Sequence, residues 1–148
     1  MKLEGAMTQP PDIETTKAFN AKIADEFRAN DGKVRAFEGN ELLLLTTTGA
    51  KSGEPRVSPL SCKRIDGKLV VIAGYGGADV NPAWVHNLRA NPRAHVELGG
   101  EAFDVIAREL TGADREAIVP KVTAIAPQFA DFQAKVSRVI PIFELDKA

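Results

Sequence analysis

The sequence predicts an α+β chain whose mainly antiparallel strands curl into a small barrel. Two turns, Asp66-Gly67 and Gly99-Gly100, join neighbouring apolar runs, and two-residue turns of this kind make antiparallel hairpins. The elements follow in the order helix, three strands, short helix, two strands, helices, strand. Five or six strands of such length curl toward closure.

The chain has 148 residues, which suits one domain with a real hydrophobic core. Nineteen basic residues oppose 20 acidic ones, a net charge of −1. That balance gives no support for general nucleic-acid binding. One cysteine, Cys62, rules out an internal disulfide and suits a reducing cytoplasm. Two histidines and that cysteine form no metal-ligand pattern, so no metal is expected. No apolar run reaches the roughly 20 residues that span a bilayer. Residues 1–12 read as a flexible N-terminus, in part vector-derived, with Met7 as an alternative start. They lack the apolar core of a signal peptide. The single domain then covers residues 13–148.

The first helix is expected over Ile13 to Ala29. Phe19, Ile23 and Phe27 recur every four residues as one stripe. Asn30-Asp31-Gly32 ends it, since glycine accepts a left-handed backbone. Strands are expected over Glu41 to Thr47 and Arg56 to Ile65. Asp66-Gly67 then turns into Lys68 to Gly74, whose apolar run predicts burial on both faces. Asn81 is placed to cap a short helix with Pro82 at its first position, and that helix carries Trp84 and Leu88 on one face. Two further strands, about Arg93 to Leu98 and Glu101 to Leu110, form a hairpin. Thr111 and Asp114 read as a helix-start box. Pro120 falls inside the stripe Ile118, Val122, Ile125, so that helix is expected to start late or kink. A short helix from Pro127 carries Phe129, Phe132 and Val136, and "VIPIFEL" makes a last strand.

Two nucleotide patterns fail. "TGAKSG" lacks the Gly-Lys-Ser/Thr order of a phosphate loop and joins two strands instead of leading into a helix. "GYGGAD" sets Asp79 where a dinucleotide fingerprint needs glycine. His86, on the short helix, and His95, in a strand, assemble no Ser-His-Asp logic, and no carboxylate pair stands at a suggestive spacing, so the chemistry of an enzyme here would come from a cofactor. "GAKSGEPR" is the notable loop. Its glycines can form a backbone nest, Lys51 and Arg56 add positive charge, and Ser52 adds a donor, which together would make an anion site; the alternative, which composition alone favours, is a solvated hairpin loop whose charges serve solubility. The second glycine-rich loop, "AGYGGADVNPAW", allows a flat group close to the backbone, with Trp84 able to cover it.

"LLLLTTTGAKSGEPRVSPL", "GGADVNPAWVHNLRANP" and "RVIPIFEL" together resemble the deazaflavin-dependent nitroreductase family of actinobacteria, over about Leu42 to Leu145. The resemblance implies a split β-barrel like that of flavin-mononucleotide-binding oxidases. It implies reduced coenzyme F420 as hydride donor, with Ala50, Lys51, Ser52 and Arg56 at the phosphate and acidic tail. Val57, Ser58, Pro59, Leu60 and Ser61 would run beside the coenzyme, as would Ile72, Ala73, Gly74 and Tyr75. Ala83, Trp84, Val85, His86 and Asn87 would complete the site. Lys17, Lys22 and Arg28 would offer the acidic tail a basic approach.

The best-known nitro-reducing members carry several tyrosines around the substrate. The matching positions here are Ser61, Ala126, Phe129 and Phe132, and a family lysine is Tyr75. The coenzyme site is thus kept and the substrate wall altered. The acceptor expected is flat and hydrophobic: a quinone, a coumarin-type lactone or a nitro compound. Ser61 and Tyr75 are the candidate proton donors. The alternatives are a flavin-mononucleotide enzyme of the same barrel class and a non-catalytic carrier of F420. The resemblance also implies a cytoplasmic protein, with a homodimer and peripheral membrane contact as further expectations.

Overall fold

The computed structural model describes residues 13–35, 41–74 and 78–148, with side chains from Lys17 onward. Helix α1 spans Ile13–Ala29, and strands β1, β2 and β3 span Leu42–Thr48, Pro55–Ile65 and Lys68–Ile72. Helix α2 (Ala83–Ala90) precedes β4 (Arg93–Leu98) and β5 (Glu101–Glu109). Helices α3 (Gly112–Ile125) and α4 (Gln128–Lys135) lead to β6, Ile142–Lys147. The strands form a closed barrel in the order β1-β2-β3-β6-β5-β4, and each pairing among them is antiparallel. The α+β barrel expected from the hairpins is the observed fold.

Turn chemistry explains the hairpins. Asp66 and Gly67 both take positive φ, 53° and 79°, as a type I′ turn requires. β1 closes the barrel against β4 over only Leu44↔Glu97, Leu45↔Val96 and Thr46↔His95. Strand alternation sends Leu43 and Leu45 inward and Leu42 and Leu44 outward.

The interior is filled by inward residues of all six strands and by one helix. Trp84, Val85 and Leu88 of α2 plug one end, and the Trp84 ring lies 5.7 Å from Phe143. A large apolar side chain buried this way contributes roughly 1.5–3 kcal/mol. Outside the barrel, α1 covers Leu42, Leu44 and Val57 with Ile23, Ala24 and Phe27. Helices α3 and α4 cover the outer face of β3 and β6, where Val70 and Ile142 meet Val122 and Phe129. Val70 and Val71 are both buried on opposite faces, as the run in β3 predicts.

Four local expectations are corrected. Phe19 is 52% exposed and does not join Ile23 and Phe27. A four-residue step rotates about 40° past a full helical turn, so Phe19 drifts off the face that meets the barrel. Thr111 takes the capping position without a side-chain bond, and the reciprocal half of the box is lost because Arg108 donates to the Asp114 carboxylate at 3.0 Å. α3 starts at once at Gly112 and runs through Pro120. α2 starts at Ala83 with Pro82 in the capping position and no side-chain cap, because the Asn81 side-chain oxygen accepts from Arg138 instead.

Candidate active site

β2 is eleven residues long, yet it pairs with β3 only from Cys62↔Val71 to Ile65↔Lys68. From Pro55 to Ser61 its sole strand partner among the described residues is β1. On the far side, the chain after Ile72 turns away toward α2. The barrel stays closed through the Cys62 to Ile65 pairing, and beyond it the β2 edge and the residues Ala73, Gly74 and Ala78 to Asn81 form two walls. Strand rise puts Arg56 and Ser61 about 17 Å apart along the first wall, so that wall suits an extended ligand.

The Gly49–Glu54 loop caps the first wall. Gly49 N–H donates to the Glu54 carbonyl at 2.8 Å, and Gly53 N–H donates to the Gly49 carbonyl at 2.9 Å. The Ser52 hydroxyl accepts from Glu54 N–H at 3.1 Å and from Arg56 Nη2 at 3.3 Å. Lys51 is exposed, and neither it nor Arg56 has a carboxylate partner among the described residues. The loop is tied down from below by Asn87, which is 6% exposed. Its Oδ1 accepts from Ala50 N–H at 2.9 Å, and its Nδ2 donates to Thr47 Oγ1 at 3.0 Å. A buried amide with both ends engaged fixes the loop's height over α2.

Alternation sorts the rest of the first wall. Arg56, Ser58 and Leu60 face inward with Thr47, Leu45 and Leu43, their partners on β1. Val57, Pro59 and Ser61 face outward, and Ser61 is exposed opposite Leu42. Asn20 of α1 donates to the Val57 carbonyl at 3.5 Å.

The second wall is built by side chains. Arg138 donates to the carbonyls of Ala73, Gly74 and Ala78 at 3.1, 3.1 and 2.9 Å, and to Asn81 Oδ1 at 2.9 Å. Burial pushes the Arg138 guanidinium below its ordinary value, with Asp79 opposing that shift. Phe132 lies against Gly74, where an added Cβ would sit 3.3 Å from its ring.

The sequence-based candidates therefore divide. Ala50, Ser52, Arg56 and Asn87 form one bonded cluster with Lys51 beside them. Ile72, Ala73, Gly74 and Phe132 gather at the second wall. Trp84 and Val85 belong to the barrel core, while Ala83 and His86 are exposed. Trp84 therefore fills the barrel instead of covering a ligand. Ala126 and Phe129 are 4% and 5% exposed, packed with α3 and α4 and away from any surface. Tyr75 lies outside the described residues. Arg28 is engaged by Glu97 through two bonds, 3.1 and 2.7 Å, whereas Lys17 and Lys22 are exposed. That guanidinium holds the Glu97 carboxyl below the usual carboxylate range. His95 shares a 2.8 Å hydrogen bond with Asp104 beside a shallow depression of about 270 Å³, lined also by Thr46, Thr48, Gly53 and Pro55. Sequence reasoning missed Arg138. The available signal was an arginine set between the apolar residues Val136, Val139 and Ile140.

A closed six-stranded antiparallel barrel, with Lys51, Ser52 and Arg56 gathered where β1 turns into β2, defines the fold class of the chain. At 14% identity a haem storage protein, HutZ from Vibrio cholerae, shares the fold with a TM-score of 0.56. Residues 20–147 match the F420H(2)-dependent quinone reductase family, and the chain belongs to it. An F420H(2)-dependent quinone reductase of Mycobacterium tuberculosis is 34% identical over 110 residues, 71% of this chain and 72% of that protein. A solved F420-H2 dependent reductase, FDR-A, is 38% identical over 72% of this chain and 94% of its own, with a TM-score of 0.63. A solved domain-swapped dimer is 32% identical over 90% of this chain and 98% of its own, with a TM-score of 0.66. The chain is thus an F420-dependent oxidoreductase, and the flavin-mononucleotide alternative falls away as the main reading.

Proposed function

We propose that this chain reduces a flat, quinone-like acceptor between the two walls, with the coenzyme's acidic end on the Gly49–Glu54 loop. The carrying observation is the loop's donor set. Lys51, Arg56 and the Ser52 hydroxyl share one short turn that Asn87 holds in place. Such a set fits a phosphate, because fixed donors bind it without reorganising. When bound, reduced F420 supplies the hydride.

The protein's work is orientation and charge stabilisation. Lys51 and Arg56 neutralise the anionic end. The β2 edge from Val57 to Ser61 lies beside the extended body, and Ala73 and Gly74 limit it from the other side. Phe132 gives the acceptor an apolar, half-buried stacking surface without a hydrogen-bond donor. Ser61 Oγ, exposed on the outer face, is positioned to pass a proton from water to the reduced acceptor. Tyr75 is the second candidate for that step.

The quinone preference draws support from the name of the family and from Phe132. A nitro group gains charge on its oxygens and loses stabilisation at a hydrocarbon wall. A quinone or coumarin-type lactone keeps its stacking. A homodimer also belongs to this reading, supported by the domain-swapped relative. A cytoplasmic location accords with it, and among the described residues no helix is long and apolar enough to cross a membrane. The test is a comparison of kcat/KM for a benzoquinone, a coumarin-type lactone and a bicyclic nitroimidazole, with F420 and flavin mononucleotide affinities measured alongside. Tighter F420 binding and the best turnover with quinone are expected. Efficient nitroimidazole reduction would sink the acceptor assignment.

A further inference from the structure

The second wall raises a question that strand pairing does not answer. Ala73 N–H still donates to the Pro141 carbonyl at 2.9 Å, which extends the β3–β6 ladder by one residue. Beyond it the ladder ends. In a regular strand, successive carbonyls point to opposite sides. Here the carbonyls of Ala73 and Gly74 converge on one guanidinium, so the backbone leaves strand geometry at Gly74. The same guanidinium reaches the Ala78 carbonyl and Asn81 Oδ1 just ahead of α2. One planar group with five N–H donors thus joins the end of β3 to the start of α2.

Arg138 is itself held. Gln133 Nε2 donates to the Arg138 carbonyl at 2.7 Å, while Gln133 Oε1 accepts from Ile140 N–H at 2.9 Å and from Arg115 at 3.3 Å. Arg115 donates in turn to the Ile140 carbonyl at 2.7 Å. The arginine is therefore aimed by both flanks of its own segment, and its four bonds go to residues about 60 positions away in sequence.

We propose that Arg138 is a positioning residue for coenzyme binding, fixing Ala73 and Gly74 as the second wall and tying that wall to α2. The proposal rests on the reading that Ala73 and Gly74 border the coenzyme. Lysine cannot replace it, because three donors on one nitrogen cannot reach the separate carbonyls of Ala73, Gly74 and Ala78 at once. Methionine fills similar space with no donor and leaves three half-buried carbonyls without their partner.

The test uses the full chain carrying Arg138→Met, Arg138→Lys or Arg138→Ala, with Lys51→Ala as a reference. Amide hydrogen exchange over residues 73–81, measured without coenzyme, reads the clamp directly. At least a 10-fold faster exchange there is expected in Arg138→Met and Arg138→Lys, with β1 and β4 protection unchanged. Fluorescence titration with F420 should give a Kd raised at least 10-fold in both. Ethylguanidinium at millimolar concentration should restore F420 affinity to Arg138→Ala and not to Lys51→Ala. Unchanged exchange in the folded variants would overturn the clamp. Faster exchange with wild-type affinity would overturn the positioning role. Failure of the wild type itself to bind F420 would strike the functional reading instead, and the positioning role with it. If Arg138→Met does not fold, the Arg138→Lys and rescue results decide.

Discussion

The two walls are built on different principles. The first is a strand, β2, whose position follows from continuous pairing with β1 and whose cations sit in the adjoining loop, Lys51, and at its own start, Arg56. The second has lost its strand partner and is held by one arginine that arrives from the far side of α4. Pairing fixes the first wall locally, so its loop can vary in charge without moving the backbone. The second wall depends on distant side chains, so a change there alters shape before it alters charge.

Substitutions should separate the two. The largest effect is expected beneath the second wall, where Phe129→Ala removes a ring packed with Val70, Val122 and Ile140. A deletion of this size costs about 3–5 kcal/mol. In a chain this long that lowers Tm by roughly 6–20 °C, readable by thermal unfolding. A near-native Tm would mean that the ring is not part of the core. Phe129→Tyr on the same footing should lower stability without gaining nitroimidazole turnover.

Asn87→Ala should come next, because it links the first wall's loop to α2. Losing it strands Thr47 and the Ala50 N–H, at about 1–3 kcal/mol of stability. F420 affinity should fall in the same variant. A fall in Tm with unaltered affinity would uncouple the loop's height from binding.

Lys51→Ala tests charge without shape. A charged hydrogen bond of about 2 kcal/mol corresponds to a roughly 30-fold weaker Kd. Titration should find that loss with Tm unmoved, since Lys51 is exposed. Unchanged binding would reduce Lys51 to a solvated loop charge.

The smallest effect concerns Cys62, inside the barrel where β2 still pairs with β3. Burial pushes its thiol from 9.0 up to about 11. The folded state therefore keeps this proton more firmly than the unfolded chain. The resulting stability is whole below about pH 9 and is lost as pH climbs through 11. At pH 8 a thiol reagent should label the native protein far more slowly than the denatured one. Equal rates would show the barrel open at this seam.

The contrast between walls also marks what the sequence makes legible. Asp66-Gly67 is read correctly because a type I′ turn depends on two adjacent residues. The Lys51, Ser52 and Arg56 cluster stands out because its members are neighbours along the chain. Asn81 is misread as a cap because its true partner, Arg138, lies far along the chain. Thr111 and Asp114 fail as a box for a like reason, since Arg108 competes for the carboxylate. Phe129 and Phe132 share a stripe in the sequence, yet one is core and the other half-buried, which depends on where α4 sits against α3. Local chemistry is legible; competition for partners across the barrel is not.

β6 carries a consequence for the order of events during synthesis. It is the last strand made, and it inserts between β3 and β5, setting Leu69 opposite Leu145 and Ala107 opposite Leu145. Until it emerges, β3 and β5 each present a bare edge, and the ring cannot shut. Contacts this distant along the chain close slowly, and bare edges invite pairing with another copy. A nascent chain that stalls near α4 would hold everything needed for the cationic loop and nothing to seal the barrel. Its two unpaired edges are where a neighbouring chain's final strand would lodge.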